Sequence, residues 1–397
     1  MMHRCMRSCY MVENGFTYLT LLIFIASAIV FTEKKTRHKL FEYLPSIVII
    51  YFAVMLFSTF GLWQKTESVT TTYKFLKSNL LPAMIFLMLL SADMREIFKL
   101  GKKMLLTFFL ASGSIAIGFI GTFYLFHTYF EPGSWKAFAA LSGSWMGGTG
   151  NMVAIQGALD LPDSAMGYTL LIDSIDYAIW VMILLSLVPF AKKFNLWSKA
   201  DTSVIDEVGE RLARKEEDKK PLSFTSLFLL LGTALLVSVL GQYGASLLPT
   251  TSFLTTTTWV VIIATMAGIL FAMTPLAKIS GGSELGHMML YLIVALIASR
   301  ANFSELTEAP LYIMAGFVII AIHVSIMILF AKLFKLDLFS LGVASLANIG
   351  GVASAPILAS AYSKALIPIG VLMAMMGYIV GTFGGLMVGK VLEMIGG

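Results

Sequence analysis

Asp173 and Asp176 stand three positions apart inside YTLLIDSIDYAIWVMILL, residues 168–185, a run with no other charge. A carboxylate in the middle of such a run costs at least roughly 2–3 kcal/mol in hydrocarbon unless it is paired or neutral. It is therefore expected to face a protein interior and take a cation or a proton. Asp173 is the first candidate for ion coupling. For Asp176 a structural hydrogen bond to a neighbouring helix competes with that role. His323, in VIIAIHVSIMIL (318–329), is the third candidate, since an imidazole can change charge near neutral pH or stay neutral against a backbone carbonyl. His287, Asp93 and Arg300 fall near the ends of apolar runs, where polar side chains snorkel or pair at the membrane interface.

A second set of candidates lies in two segments that interrupt their own apolar character: SGSWMGGTGNMVAI (142–155) and SLANIGGVASAPIL (345–358). A shift of 203 positions lays Ser142, Gly147, Gly148 and Asn151 over Ser345, Gly350, Gly351 and Ser354. FLMLLSADMREIFKL from Phe86 resembles LIVALIASRANFSEL from Leu292, and Tyr177 falls nearly in register with Tyr378. Three elements in the same order mark an internal repeat. In hydrocarbon, unwound backbone survives only where protein buries it or a wet cavity borders it. The glycine pairs permit such unwinding, Pro356 removes a further helical hydrogen bond, and Thr149, Asn151, Asn348 and Ser354 offer donors and acceptors. The candidate substrate-binding set is Gly147, Gly148, Thr149, Asn151, Asn348, Gly350, Gly351 and Ser354, with a Na⁺ position near Asp173, Asn151 and Asn348. The competing reading is close helix packing through small residues.

The elements that must position these groups are membrane helices. The chain of 397 residues is 58% hydrophobic and 13% charged, and its mean hydropathy of +0.84 lies outside the range of soluble domains. Ten apolar runs, 17–31, 41–63, 79–92, 104–127, 165–190, 222–243, 257–274, 285–299, 311–332 and 366–390, are expected to span the bilayer, with the broken segments at 134–160 and 338–362. No β-barrel alternation is present. The expected organisation is an N-terminal tail (1–16), a first repeat half (17–190), a polar cytoplasmic linker (191–221) and a second repeat half (222–397). Within the linker Val204, Ile205, Val208 and Leu212 recur at helical spacing, which fits either a surface helix or a solvated connection.

Charge tests the topology. Loops 32–39, 93–103 and 191–221 hold four, four and eight Lys or Arg, while 128–137 holds one and 242–257 none. The rich loops are expected on the cytoplasmic side. That parity favours a broken segment at 134–160 that dips in and returns, which makes the two halves inverted repeats; a full crossing is the rival. The basic residues sit in short loops that meet lipid headgroups, which argues against a nucleic-acid partner. Cys5 and Cys9 lie in the tail with no ligand cluster beside them and could form a disulfide, a weak metal pair or nothing. There is no HExxH, GxSxG, paired CxxC or P-loop, so no enzyme, ATP-driven pump or resident cofactor is expected.

NLLPAMIFLMLLSADMREI, SGSWMGGTGNMVAIQGAL, LIDSIDYAIW and the long block from ASLANIGG to GTFGGL resemble the signature blocks of the membrane family called domain of unknown function 819, or YjcL-like, across nearly the whole chain from about residue 16. The resemblance implies kinship with the cation/proton antiporter and anion transporter superfamily. That means inverted repeats, an elevator-type carrier with mobile core and static scaffold, and a core holding Gly147, Gly148, Asn151, Asp173, Asn348, Gly350, Gly351 and Ser354. The chain departs from the family pattern at Ser354-Ala355-Pro356, and at Asp173-Ser174, where the family has Asp-Asn.

The expected protein is thus an all-α polytopic carrier in a bacterial plasma membrane, coupled to Na⁺ or H⁺ and moving a small solute, with an anion as one candidate class and a homodimer as the candidate assembly. A cation/proton antiporter without organic substrate and a membrane scaffold or sensor are the alternatives.

Overall fold

The computed structural model describes residues 12–36, 46–92, 97–200, 221–251, 253–302, 309–363 and 366–397. Cys5, Cys9, Asp93 and the Val204 to Leu212 stretch lie outside the described residues. The described residues form fifteen α-helices and a few 3₁₀ turns, with an isolated bridge between Val12 and Trp63 as the one extended pairing among them. Among the described residues, seven helices are long and apolar enough to cross a membrane.

The first half contains α1 (Gly15–Thr36), α2 (Ser46–Thr59), α3 (Glu67–Leu90), α4 (Lys102–Phe126), α5 (Trp135–Gly147), α6 (Thr149–Ala158) and α7 (Ala165–Leu187). A short helix α8 (Ala191–Ser198) opens the stretch read as linker. The second half repeats the order: α9 (Phe224–Ser246), α10 (Thr256–Ala272), α11 (Gly282–Ala298), α12 (Ala309–Phe334), α13 (Leu338–Ile349), α14 (Gly351–Tyr362) and α15 (Ile367–Gly396). In each half three helices precede a long helix, a broken pair and another long helix.

Local chemistry sets the boundaries. Apolar content marks 79–92 as a span, yet α3 begins at Glu67, because the Thr66 side chain accepts from the Val69 amide and starts the helix within a polar stretch. Thr255 and Thr258 cap α10 reciprocally. Asp337 caps α13 through the Ser340 amide and draws Lys103 to 3.2 Å. α8 stays on the protein because Asn195 accepts the Leu338 amide at 2.9 Å and Lys332 donates to the Trp197 carbonyl at 2.6 Å.

The helices pack as two bundles. One gathers α1, α2, α3, α9, α10 and α11 around α3, and the other gathers α4 to α7 with α12 to α15 around the α5–α15 contact. At one end of the molecule the contacts join Gly15 to Ser68, Ser58 and Trp63 to Ser299, and Thr258 to Ala158. At the other they join Ser46 to Glu33, Gly282 to Ser91 and Lys103 to Asp337. Large side chains such as Phe224, Phe228 and Leu240 remain exposed along α9, as a face toward acyl chains requires.

Candidate functional site

α5 ends at Gly148, whose φ of +91° an L side chain rarely adopts, and α6 returns along α5. A Cβ on Gly143 would lie 3.4 Å from Ile155 Cγ1, although twelve residues of continuous helix would separate the two by about 18 Å. The second broken pair folds back in the same way. Gly351 has φ +59°, a Cβ on Gly342 would meet Leu358 Cδ2 at 3.1 Å, and Ser354 Oγ donates to the Leu346 carbonyl at 3.4 Å. Both segments are therefore helical hairpins, the arrangement that loop charge favours over a full crossing.

The two hairpin tips meet. A Cβ on Gly351 would come to 4.0 Å from Gly148 Cα. α15 makes the approach possible by presenting Gly377, Gly381 and Gly385 to α5: Cβ atoms there would reach 2.9 Å from Gly147 Cα, 2.8 Å from the same atom and 2.9 Å from Gly143 Cα. Backbone groups freed by the breaks find local partners. Gly148 N–H donates to the Ser144 carbonyl, Asn151 Nδ2 to the Gly147 carbonyl at 2.7 Å, and Asn348 Nδ2 to the Ala344 carbonyl at 2.9 Å.

A cavity of about 160 Å³ opens at these tips, the size that holds a benzene-sized molecule. Ser144, Gly148, Thr149, Asp173, Tyr177, Gly350, Gly351 and Tyr378 line it from the hairpin bundle; Ile47, Val48, Met88, His287, Leu290 and Tyr291 close it from the other. Asp173 accepts from Ser144 Oγ at 3.1 and 3.2 Å and from Trp145 Nε1 at 3.0 Å. These donors are neutral, so they fix the carboxylate without cancelling its charge, and a cation remains its natural counterpart. Opposite in sign, α6 and α14 start at Gly148 and Gly350 with no side-chain cap, so first-turn N–H groups and helix dipoles face the same space.

The sequence candidates divide by which way they point. Gly148, Thr149, Gly350, Gly351 and Asp173 border the cavity. Gly147 packs against the Gly377 carbonyl. Asn151 ties α6 to α15 by accepting from Thr382 Oγ1 at 2.6 Å, and Asn348 ties α13 to α4 by accepting from Ser112 Oγ at 2.7 Å. Each amide oxygen thus already accepts from a hydroxyl, and neither asparagine borders the cavity that Asp173 lines. Among the described residues there is also no cluster of three or more His, Cys, Asp or Glu. Ser354 is buried beside Tyr177, whose hydroxyl it meets. His323 lies away from the cavity, fully engaged by Ser114 Oγ at 2.7 Å and Ser345 Oγ at 2.8 Å, with Trp180 donating to the same Ser345. Asp176 faces α12, away from the tips.

Other contributors escape a reading by motif. His287 and Tyr291 are one turn apart on α11, and His287, read as an interface residue, reaches the cavity edge while bonded to the Ser283 carbonyl at 2.7 Å. Asp163, in the loop after α6, gathers Lys77 Nζ at 2.8 Å, Gln156 Nε2 at 2.8 Å and the Tyr73 hydroxyl at 2.5 Å, while Tyr51 donates to its backbone carbonyl at 3.1 Å. Arg300, read as an interface residue, stacks on the Tyr73 ring at 4.6 Å. This cluster closes one end of the seam between the bundles.

Over residues 20–395 the chain matches the family described as protein of unknown function DUF819. The chain belongs to the DUF819 family. A curated relative, the uncharacterized membrane protein YjcL of Bacillus subtilis (strain 168), is 25% identical over 373 residues, covering 90% of this chain and 92% of that protein. DUF819 membership and the seven long apolar helices make this an integral membrane protein.

Proposed function

We propose that the protein is an ion-coupled secondary transporter that binds a small solute in the cavity where its two helical hairpins meet. The observation that carries this reading is the convergence, at one cavity, of the Gly148 and Gly351 breaks and the half-buried Asp173 carboxylate. Paired broken helices in corresponding halves are how carriers build midplane sites. The cavity's two signs suit a solute with an anionic group held by the α6 and α14 N-termini and a coupling cation, Na⁺ or H⁺, held at Asp173.

Alternating access follows from the two bundles. The hairpin bundle would move as an elevator against α1–α3 and α9–α11, and the end-to-end contacts support halves inserted in opposite senses. Gly15, Ser58, Ser68, Ala158 and Ser299 share the lysine-poor end, whereas Ser46, Ser91, Lys103 and Gly282 share the basic end. Ile47, Met88 and His287 put the cavity mouth toward the basic, cytoplasmic end, and the Asp163 cluster seals the other. The conformation is then cytoplasm-facing, in a bacterial plasma membrane. A homodimer fits the elevator reading.

The test is uptake by proteoliposomes of a panel of small carboxylates, amino acids and neutral solutes, with and without Na⁺ or pH gradients. Uptake driven by a gradient is expected. Gradient exchange with no solute would make the protein a cation/proton antiporter, a reading that the small cavity and Asp173 also favour. Silence under all conditions would leave a scaffold or sensor.

A further inference from the structure

Asp176 is unlike every other carboxylate of the described residues. It is 0% exposed, and neither of its oxygens has a hydrogen-bond partner among the described residues. It does not border the cavity. It points from α7 across to α12, where Gly316 makes room: any side chain at 316 would collide with the carboxyl group, and Ile172 fills the space beside it. A glycine in an otherwise bulky helix, opposite a buried acid, is a cradle for that acid.

Ionisable groups on the packed helices do not supply a counter-charge. On α7 itself Asp173 is like-charged, and Tyr177 meets Ser354. On α12 Tyr312 stacks with Tyr168, His323 is held by Ser114 and Ser345, and Lys332 reaches Trp197. From α2, α5, α11 and α14 the corresponding groups are Tyr51, which donates to Asp163, Lys136, which lies over Trp135, His287 and Tyr291 at the cavity, and Tyr362 against Phe339. On α13 there is none, and Asp337 before it pairs with Lys103. An ionised carboxylate in this interface would have no donor and no opposite charge to offset its desolvation. The neutral acid fits.

We propose that Asp176 is a proton-carrying site, distinct from the solute cavity, which holds one proton in the interface between α7 and α12. The step balances simply: a hydronium ion gives its proton to the Asp176 carboxylate, leaving water and a carboxylic acid, and release reverses it. The inference rests on the transport reading and adds a proton-binding site to it, separate from the coupling cation's place at Asp173.

Infrared spectroscopy of the full chain in lipid nanodiscs tests it without a solute, with the proton itself as probe, so absence of uptake in any panel leaves this readout standing. Wild-type protein made with carbon-13 aspartate is expected to show a protonated carboxyl C=O band that shifts in deuterated water, disappears on raising pH and returns on lowering it. D176N should lose the band and D173N keep it. If D176N does not fold, D176E keeps the assignment open to test, because an unlabelled glutamate at 176 removes the carbon-13 band while the other aspartates retain their label. A band missing from wild type, unchanged in D176N, lost in D173N, or insensitive to both pH and deuterium would overturn the proposal.

Discussion

Asp173 holds its oxygens against Ser144 and Trp145, and each donor can be removed singly. Hydrogen bonds to a charged group are worth about 1.5–3 kcal/mol, so S144A should weaken cation-dependent solute binding roughly tenfold, read as a higher half-saturating cation concentration. Gly148 at φ +91° should not accept a side chain. G148A is expected to cost about 1–3 kcal/mol and to lower the thermal unfolding temperature in detergent, because the methyl group forces strain exactly where the tips meet. His323 makes a contrasting case. With both ring nitrogens on serines, it serves packing, so H323Q should leave the pH profile of transport unchanged, whereas a shifted profile would return it to the ion path. The residue types at these positions were legible from sequence; the directions of their side chains were not. Asn151 and Asn348 look like ligands in the chain and turn out to tie helices, because Thr382 and Ser112 approach from elements more than 200 residues away.

At the scale of the element, the hairpins were readable and their neighbours were not. Glycine pairs flanked by polar residues, repeated at one offset, favour breaks over close helix packing, and loop charge favours a return over a crossing. The glycine face of α15 and the contribution of α11 needed the fold, since His287 and Tyr291 carry no motif and acquire a role only by facing the tips. Asp163 was missed for the same reason, as a loop acid whose partners come from α2, α3 and α6. Its cluster makes a prediction about hairpin motion. D163N removes a partly buried ion pair with Lys77 and weakens the Tyr73 contact, a loss of about 1–2 kcal/mol from the closed end. A cysteine placed near that seam should then react roughly tenfold faster with an external, membrane-impermeant thiol reagent. Equal rates in D163N and its parent would show that the cluster does not hold the seam shut.

Over the whole molecule, the order of three helices, a long helix, a hairpin and a long helix recurs in the two halves and is the frame on which the proposed transport rests. The membrane-spanning, all-helical character could be read from hydropathy, whereas the division into two bundles depends on which helices touch. Topology follows directly: cysteines at Glu131 and Asp160, on either side of the first broken pair, should be labelled from the same side of the membrane, and opposite-side labelling would reject the hairpin arrangement. The central claim is that a solute bound at the hairpin tips moves with a cation that Asp173 recognises. It is tested most directly by solute-dependent current in proteoliposomes under an imposed cation gradient, comparing wild type with D173N. The expected result is a gradient-driven current in wild type that D173N abolishes while it still folds. A D173N protein that carries the full coupled current would contradict the claim.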